Sequence, residues 1–170
     1  MNNEQLLESY FKKLGELIQS LRILEFLLRI CILRKEESDG RNEQEYKKYV
    51  KELFFKLIEC KEGEMIEENA ITRENSLYNV IGKFNSYSEE FKIDHEDKEK
   101  LRKLRNALAH GRIMSKTKSF PIKLFNYKKV NGGMKAITAQ KVDIEWLEQN
   151  LKFVRDKISR IMDTKYYKIE

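Results

Sequence analysis

Apolar residues recur at helical spacing through the first 35 residues of the chain. One stripe repeats every three or four positions and consists of Leu7, Tyr10, Leu14, Leu17, Leu21, Leu24, Leu28 and Cys31. A second stripe on a neighbouring face consists of Phe11, Ile18, Phe26, Ile30 and Leu33. This spacing predicts a long amphipathic helix over about residues 3–35. Together the stripes are wider than a two-stranded seam, which fits either a central helix of a bundle or one that packs on its own core and on a partner.

Three more helices are predicted on either side of a distinctive central stretch. After a chain break at Ser38-Asp39-Gly40, Asn42 is a suitable N-cap for a helix that reaches Cys60. Thr72 is a suitable N-cap for a shorter apolar helix that ends before Phe91. Asp143 begins the last helix, in which apolar residues again recur every three or four positions.

Between the central stretch and the last helix, the period changes from helical spacing to alternation. Ser119–Tyr127 and Met134–Val142 have a strand-like pattern around the turn signal Asn131-Gly132. The pattern predicts a β-hairpin or ordered arm over about residues 117–142. An isolated hairpin is only marginally stable, so we expect it to lie against the helices. Lysines make it basic, and they fit RNA contact and also fit solubility and edge protection: Lys123, Lys128, Lys129, Lys135 and Lys141.

Composition restricts the class of protein. The chain has 170 residues, 41% hydrophobic and 36% charged, with one Pro and seven Gly, which indicates one soluble domain rich in long helices. Cys31 and Cys60 are too isolated for a disulfide framework or a zinc site. Without a signal-peptide pattern or a membrane-length apolar run, we expect a cytoplasmic protein. The net charge of +6 permits a polyanionic partner, but charge alone favours the simpler interpretation, a solvated lysine-rich surface.

Residues 94–112 carry the most informative pattern of the chain. Asp94 is a suitable N-cap and Gly111 a suitable terminator for a helix. At 100° per residue, one face is apolar and contains Leu101, Leu104 and Leu108. The opposite side and its flank contain Arg102, Arg105, Asn106, Ala109 and His110. A helix that turns an Arg, an Asn and a His away from its own core is typical of a functional site.

The segment Arg105-Asn106-Ala107-Leu108-Ala109-His110 resembles the R-x4-6-H signature of HEPN domains. The setting agrees, since a long first helix precedes the motif and an amphipathic helix follows it. The resemblance implies an all-α fold, an up-and-down bundle of four to five helices, here with the hairpin-like insertion between the motif helix and the last helix. It also implies one domain over residues 1–170, with 163–170 as a tail, and a homodimer formed through the motif helices.

Many HEPN domains are metal-independent ribonucleases of toxin–antitoxin, abortive-infection and CRISPR systems. The resemblance therefore implies an endoribonuclease that acts as a toxin or defence effector, with RNA as its substrate, an antitoxin protein as a further partner, and no metal or cofactor. His110 would transfer protons at the 2′-hydroxyl or the leaving 5′-oxygen. Arg105 would stabilise charge on the phosphoryl oxygens, and Asn106 would orient the imidazole. Arg102 and Arg112 would bind neighbouring phosphates.

Glu25 lies on the apolar side of the first helix, where a carboxylate needs a cation or hydrogen-bond donors. Arg22 and Arg29, at i−3 and i+4, can satisfy it locally. Alternatively, Glu25 supports the site by orienting Arg105.

A different class of function is also compatible with the motif. Some HEPN domains lack activity and bind a partner protein, a nucleotide or RNA. If Arg105 and His110 face each other across a two-fold axis in an open groove, the enzyme is favoured, whereas burial of these two residues in ion pairs favours the binding module.

Overall fold

The computed structural model describes residues 3–38, 41–110, 112–114 and 122–164. These residues form five helices and three strands: α1 (Asn3–Ser38), α2 (Glu43–Glu59), α3 (Leu77–Tyr87), α4 (His95–His110), β1 (Arg112–Met114), β2 (Ile122–Val130), β3 (Gly133–Val142) and α5 (Ile144–Met162). The predicted class, an all-α helical bundle with a β-hairpin inserted between the motif helix and the last helix, is confirmed. No helix in the described part of the chain is long and apolar enough to span a bilayer.

The chain folds as two compact units. The first contains α1 as far as Leu24 together with Asp94–Ser159, and the second contains Glu25–Ile93 together with the chain from Arg160. Both units are discontinuous in sequence, because α1 and α5 each contribute to both. The single domain over residues 1–170 stays a prediction.

The first unit has a core drawn from three helices and the sheet. Its buried residues include Leu14, Leu17 and Leu21 of α1, Leu101 and Leu104 of α4, Leu147, Leu151 and Val154 of α5, and Leu124 and Val142 of the sheet. At the surface, Lys13 and Glu148 form an ion pair of 2.8 Å between α1 and α5. Lys157 of α5, which is nearly buried, forms one of 2.5 Å with Asp97 of α4.

The second unit is organised around Arg29 of α1, whose side chain is only 11% exposed. Its guanidinium donates to the carbonyl oxygens of Ala70, Arg73 and Asn75 at 3.1, 2.8 and 3.0 Å. It also donates to the Glu25 carboxylate, at 2.7 Å from Nη2 and 3.3 Å from Nε. One side chain thus fastens the segment before α3 to the first helix. The surrounding core includes Leu28, Ile32, Leu53, Ile81 and Phe84.

The three predicted caps at Asn42, Asp94 and Asp143 are confirmed. The Asn42 side chain accepts from the Glu45 backbone N–H, with the reciprocal bond of a capping box. Asp94 and Asp143 accept from the backbone N–H three residues later at 2.8 and 2.9 Å.

The predicted start of α3 was wrong. Ser76 is its N-cap, and the Thr72 hydroxyl instead donates to the Glu67 carbonyl oxygen within the preceding turn. The second apolar stripe of α1 is also only partly buried, since Leu33 is enclosed whereas the side chains of Phe11 and Phe26 are 57% and 40% exposed.

The insertion is a three-stranded antiparallel sheet in the order β1-β2-β3. The predicted turn is confirmed: Val130 pairs with Gly133 across Asn131-Gly132, and Gly132 has the positive φ of 90° that favours glycine. The third strand, β1, was not predicted; it follows α4 directly and pairs with β2 from Arg112↔Phe125 to Met114↔Lys123. β2 begins at Ile122, so the predicted residues 117–121 lie outside the described part of the structure, as do residues 165–170 of the predicted tail.

Candidate active site

The motif helix α4 is held by its apolar side. Leu101, Leu104 and Ala107 are buried, whereas Leu108, predicted to belong to this face, is only half-buried. The buried face is therefore turned slightly from the predicted leucine seam, towards Ala107. Ala109 is exposed, as predicted.

Arg105 and Asn106 are both half-buried, Asn106 on the side of α4 opposite the buried face and Arg105 on its flank, next to Leu101. Arg105 Nη1 lies 3.5 Å from Asn106 Oδ1, at the long limit of a hydrogen bond. Among the side chains that the structure describes, no carboxylate forms an ion pair with Arg105. Its guanidinium therefore retains donors for a phosphate, for which its planar fork is suited.

Arg102 is already engaged. It donates to Glu99 Oε2 from Nη2 at 2.7 Å and from Nε at 3.2 Å. This hydrogen bond, together with the positive charges of Arg102, His95 and Lys103, lowers the pKa of Glu99. A phosphate bound at Arg102 would have to compete with this carboxylate. Sequence reasoning missed Glu99, although opposite charges three residues apart on a helix are a recognisable signal.

The other two motif residues are placed by the backbone alone. His110 is the last residue of α4, one turn after Asn106, and Arg112 is the first residue of β1. The side chains of both residues lie outside the described part of the structure. The helix and the strand nevertheless bring His110, Asn106, Arg105 and Arg112 to one end of α4.

Glu25 is paired locally, as one of the two interpretations predicted. Arg29, four residues later, approaches it within 2.7 Å. The support of Arg105 by Glu25 stays a prediction.

Metal ligands do not cluster in the described ranges, where no group of three or more His, Cys, Asp or Glu residues is arranged to hold an ion. The available chemistry on α4 is therefore that of a guanidinium, an amide and an imidazole position. These groups suit phosphate binding and proton transfer.

Comparison of the chain with protein-family models, curated proteins and solved structures finds no match. The resemblance to HEPN domains therefore depends on the six residues 105–110 and on the helical setting in which they lie.

Proposed function

We propose that this protein is a metal-independent endoribonuclease of the HEPN type that acts in the cytoplasm as a toxin or defence effector. The observation that supports this most directly is the state of Arg105. It is partly exposed on the flank of α4 and has no ion-pair partner among the described side chains. A guanidinium with unused donors and an imidazole at the same end of one helix are groups that can serve phosphodiester cleavage.

In the proposed reaction, the 2′-hydroxyl of the RNA attacks the adjacent phosphorus while a base removes its proton. The new O2′–P bond produces a 2′,3′-cyclic phosphate, and the P–O5′ bond breaks as an acid protonates the leaving oxygen. His110 serves in proton transfer, Arg105 stabilises the negative charge on the non-bridging oxygens, and Asn106 orients the imidazole. Arg112 binds a neighbouring phosphate, as does Arg102 once Glu99 releases it.

The proposed enzyme is a homodimer. Each motif helix supplies one His and one Arg, whereas the reaction needs a base, an acid and a phosphate clamp. A two-fold axis at the motif helices doubles the set of groups. The exposed, small Ala109 permits two such helices to approach closely. An antitoxin protein that covers this surface would complete the system.

The test is cleavage of an end-labelled RNA pool by the purified protein, with EDTA and separately with Mg²⁺. Wild-type protein should cleave in both and leave 2′,3′-cyclic phosphate and 5′-hydroxyl ends. His110→Ala and Arg105→Ala should each abolish cleavage. His95→Ala is the matched control, because it removes the only other histidine, exposed at the opposite end of the same helix, and should remain active. Products with 5′-phosphates, or equal loss of activity in His95→Ala, would contradict the proposal.

One observation favours the alternative, a catalytically silent binding module. Arg102, predicted to bind a neighbouring phosphate, is instead paired with Glu99. Folded wild-type protein that binds RNA or a partner protein but releases no RNA product would identify it as such a module.

A further inference from the structure

Charge is distributed very unevenly along this chain. Residues 100–142 contain 12 Lys and Arg and no Asp or Glu, a net charge of +12. The rest of the chain, with 22 basic and 28 acidic residues, carries a net charge of −6. The modest overall value of +6 conceals a strongly basic segment, which begins in the motif helix and ends with the sheet. Such asymmetry is typical of proteins that bind a polyanion.

The sheet places lysines directly opposite one another. Lys123 of β2 pairs in register with Lys141 of β3, and Lys128 pairs with Lys135. Like charges in opposite positions of an antiparallel pair destabilise it, because their Cβ atoms lie about 5 Å apart. The proposed surface involves only the Lys123–Lys141 pair, and an anion bound between these two lysines would convert their repulsion into attraction.

Lys123 and Lys141 share the outer face of the sheet. Their neighbours Leu124 and Val142 are each only 2% exposed, and alternation along a strand turns the two lysines to the opposite side. Both lysines are exposed. Lys141 Nζ lies 3.0 Å from the Asp143 carboxylate, but in the described part of the chain no carboxylate pairs with Lys123.

Edge protection does not explain Lys123. Lysines commonly prevent edge strands from pairing with other chains, which could account for those on β3. Lys123, however, lies on the central strand and is paired on both sides, with Met114 of β1 and Lys141 of β3. At that position the strand has no free edge to protect.

The basic surface continues along β2. Lys129 is also exposed and lies six residues after Lys123, on the same face because the extra residue of the bulge, Ile137, belongs to β3. At about 3.3 Å per residue, the two lysines are roughly 20 Å apart, which is enough for several nucleotides. β1 begins at Arg112, separated from the end of the motif helix by a single residue.

We infer that the outer face of the three-stranded sheet, defined by Lys123, Lys129 and Lys141, binds the phosphate backbone of a single-stranded RNA. This surface is additional to the motif residues, and β1 connects it along the chain to the end of the motif helix. The identity of the ligand as RNA rests on the proposed function, whereas the basic surface itself does not. Contacts to phosphates carry no sequence information, so the surface would contribute affinity and would fix the position of the RNA on the protein.

The test uses the double variant Lys123→Gln/Lys141→Gln in a His110→Ala background, which prevents cleavage during binding measurements. The probe is a fluorescent single-stranded RNA on the order of 10 nucleotides, within the site sizes of single-strand-binding domains. The logarithm of the association constant falls linearly with the logarithm of the salt concentration. Loss of two phosphate contacts should make that slope shallower by about 1.4 and weaken binding roughly twentyfold at 0.1 M salt. The matched control, Lys48→Gln/Lys152→Gln, makes the same charge change at exposed helical positions and should bind as the parent does.

Stability and activity measurements separate this inference from others. The Lys123→Gln/Lys141→Gln variant should unfold at a temperature close to that of the parent, because relief of the repulsion offsets loss of the exposed Lys141–Asp143 pair, so weaker binding cannot be attributed to misfolding. With His110 intact, the variant should still cleave a dinucleotide, which is too short to reach the sheet. Unchanged RNA affinity and salt slope, or equal weakening in the control, would overturn the inference even if cleavage persists. If the double variant binds RNA more weakly than its parent, but the wild-type protein cleaves no RNA, the result would support this surface and refute the proposed enzyme.

Discussion

Replacement of Arg29 by Met should destabilise the protein by about 3–5 kcal/mol, a large part of the roughly 5–15 kcal/mol that stabilises a typical domain. The variant keeps most of the apolar stem but loses three hydrogen bonds from a charged donor to the carbonyl oxygens of Ala70, Arg73 and Asn75. Bonds of this kind contribute about 1.5–3 kcal/mol each, net of the exchange with water, and the bonds of one guanidinium are not additive. The change also leaves Glu25, whose side chain is 25% exposed, without its cation.

The assay is urea unfolding followed by circular dichroism at neutral pH. A loss of this size moves the midpoint by more than about 1 M. Arg29→Lys keeps the charge but cannot reach three carbonyls and a carboxylate together, so an intermediate loss is expected. Arg155→Met is the control, because it breaks an exposed pair with Glu16 and should cost less than about 1 kcal/mol.

Double substitution identifies the source of the effect. If the stranded carboxylate accounts for part of the loss, Glu25→Gln in the Arg29→Met background should recover stability. A loss below about 1 kcal/mol for Arg29→Met would refute the view that this guanidinium fastens the segment before α3.

Three further predictions concern the motif helix and the cysteines. Ala109→Trp should place a bulky side chain at the proposed two-fold axis and convert a dimer to an inactive monomer, which light scattering and cleavage assays would detect together; an active monomer would contradict the composite site. Glu99→Gln should release Arg102 and tighten RNA binding severalfold in low salt, whereas unchanged affinity in a titration would show that Arg102 does not contact RNA. Burial raises the pKa of the Cys31 thiol from its ordinary 9.0 to about 12, despite the opposing charge of Arg34. The native protein should therefore be alkylated at the partly exposed Cys60 first, as mass spectrometry of partly labelled protein would show. Between pH 9 and about 12 the Cys31 thiol keeps its proton in the folded state and loses it in the unfolded state, so the free energy of unfolding should fall as pH rises above about 9. Equal labelling of the two thiols, or constant stability in alkaline urea titrations, would contradict the burial of Cys31.

Local physical chemistry made much of the fold predictable. The stripe from Tyr10 to Cys31 is buried as its spacing requires, because a helix repeats its faces whatever lies around it. Asn42, Asp94 and Asp143 act as caps because a side chain and a backbone N–H three residues apart can bond without help from distant residues.

The errors occur where distant contacts decide between equivalent local choices. Thr72 and Ser76 are comparable cap residues, and the segment between them is held outside α3 partly by carbonyl bonds to Arg29, 44 residues away from Arg73. The three residues of β1 are too few for a periodic pattern, so only pairing with β2 reveals the strand.

For the candidate site, the sequence supplied the residues but not their electrostatic state. The separation of Arg105 and Asn106 from the buried face followed from helical periodicity. The pairing of Arg102 with Glu99 depends on which rotamers the surroundings permit, and periodicity alone cannot choose between Glu99 and a phosphate.

The division of α5 between the two compact units has a consequence for synthesis on the ribosome. Leu147, Leu151 and Val154 of α5 are buried in the first unit, and Ile161 is buried in the second. A nascent chain that ends before residue 144 has translated the whole R-x4-6-H motif but can complete neither core. Neither core can therefore be completed until α5 leaves the exit tunnel. A ribonuclease built in this way would be inert while its own messenger is being translated, and an aborted chain would be a target for proteases instead of a partly active nuclease.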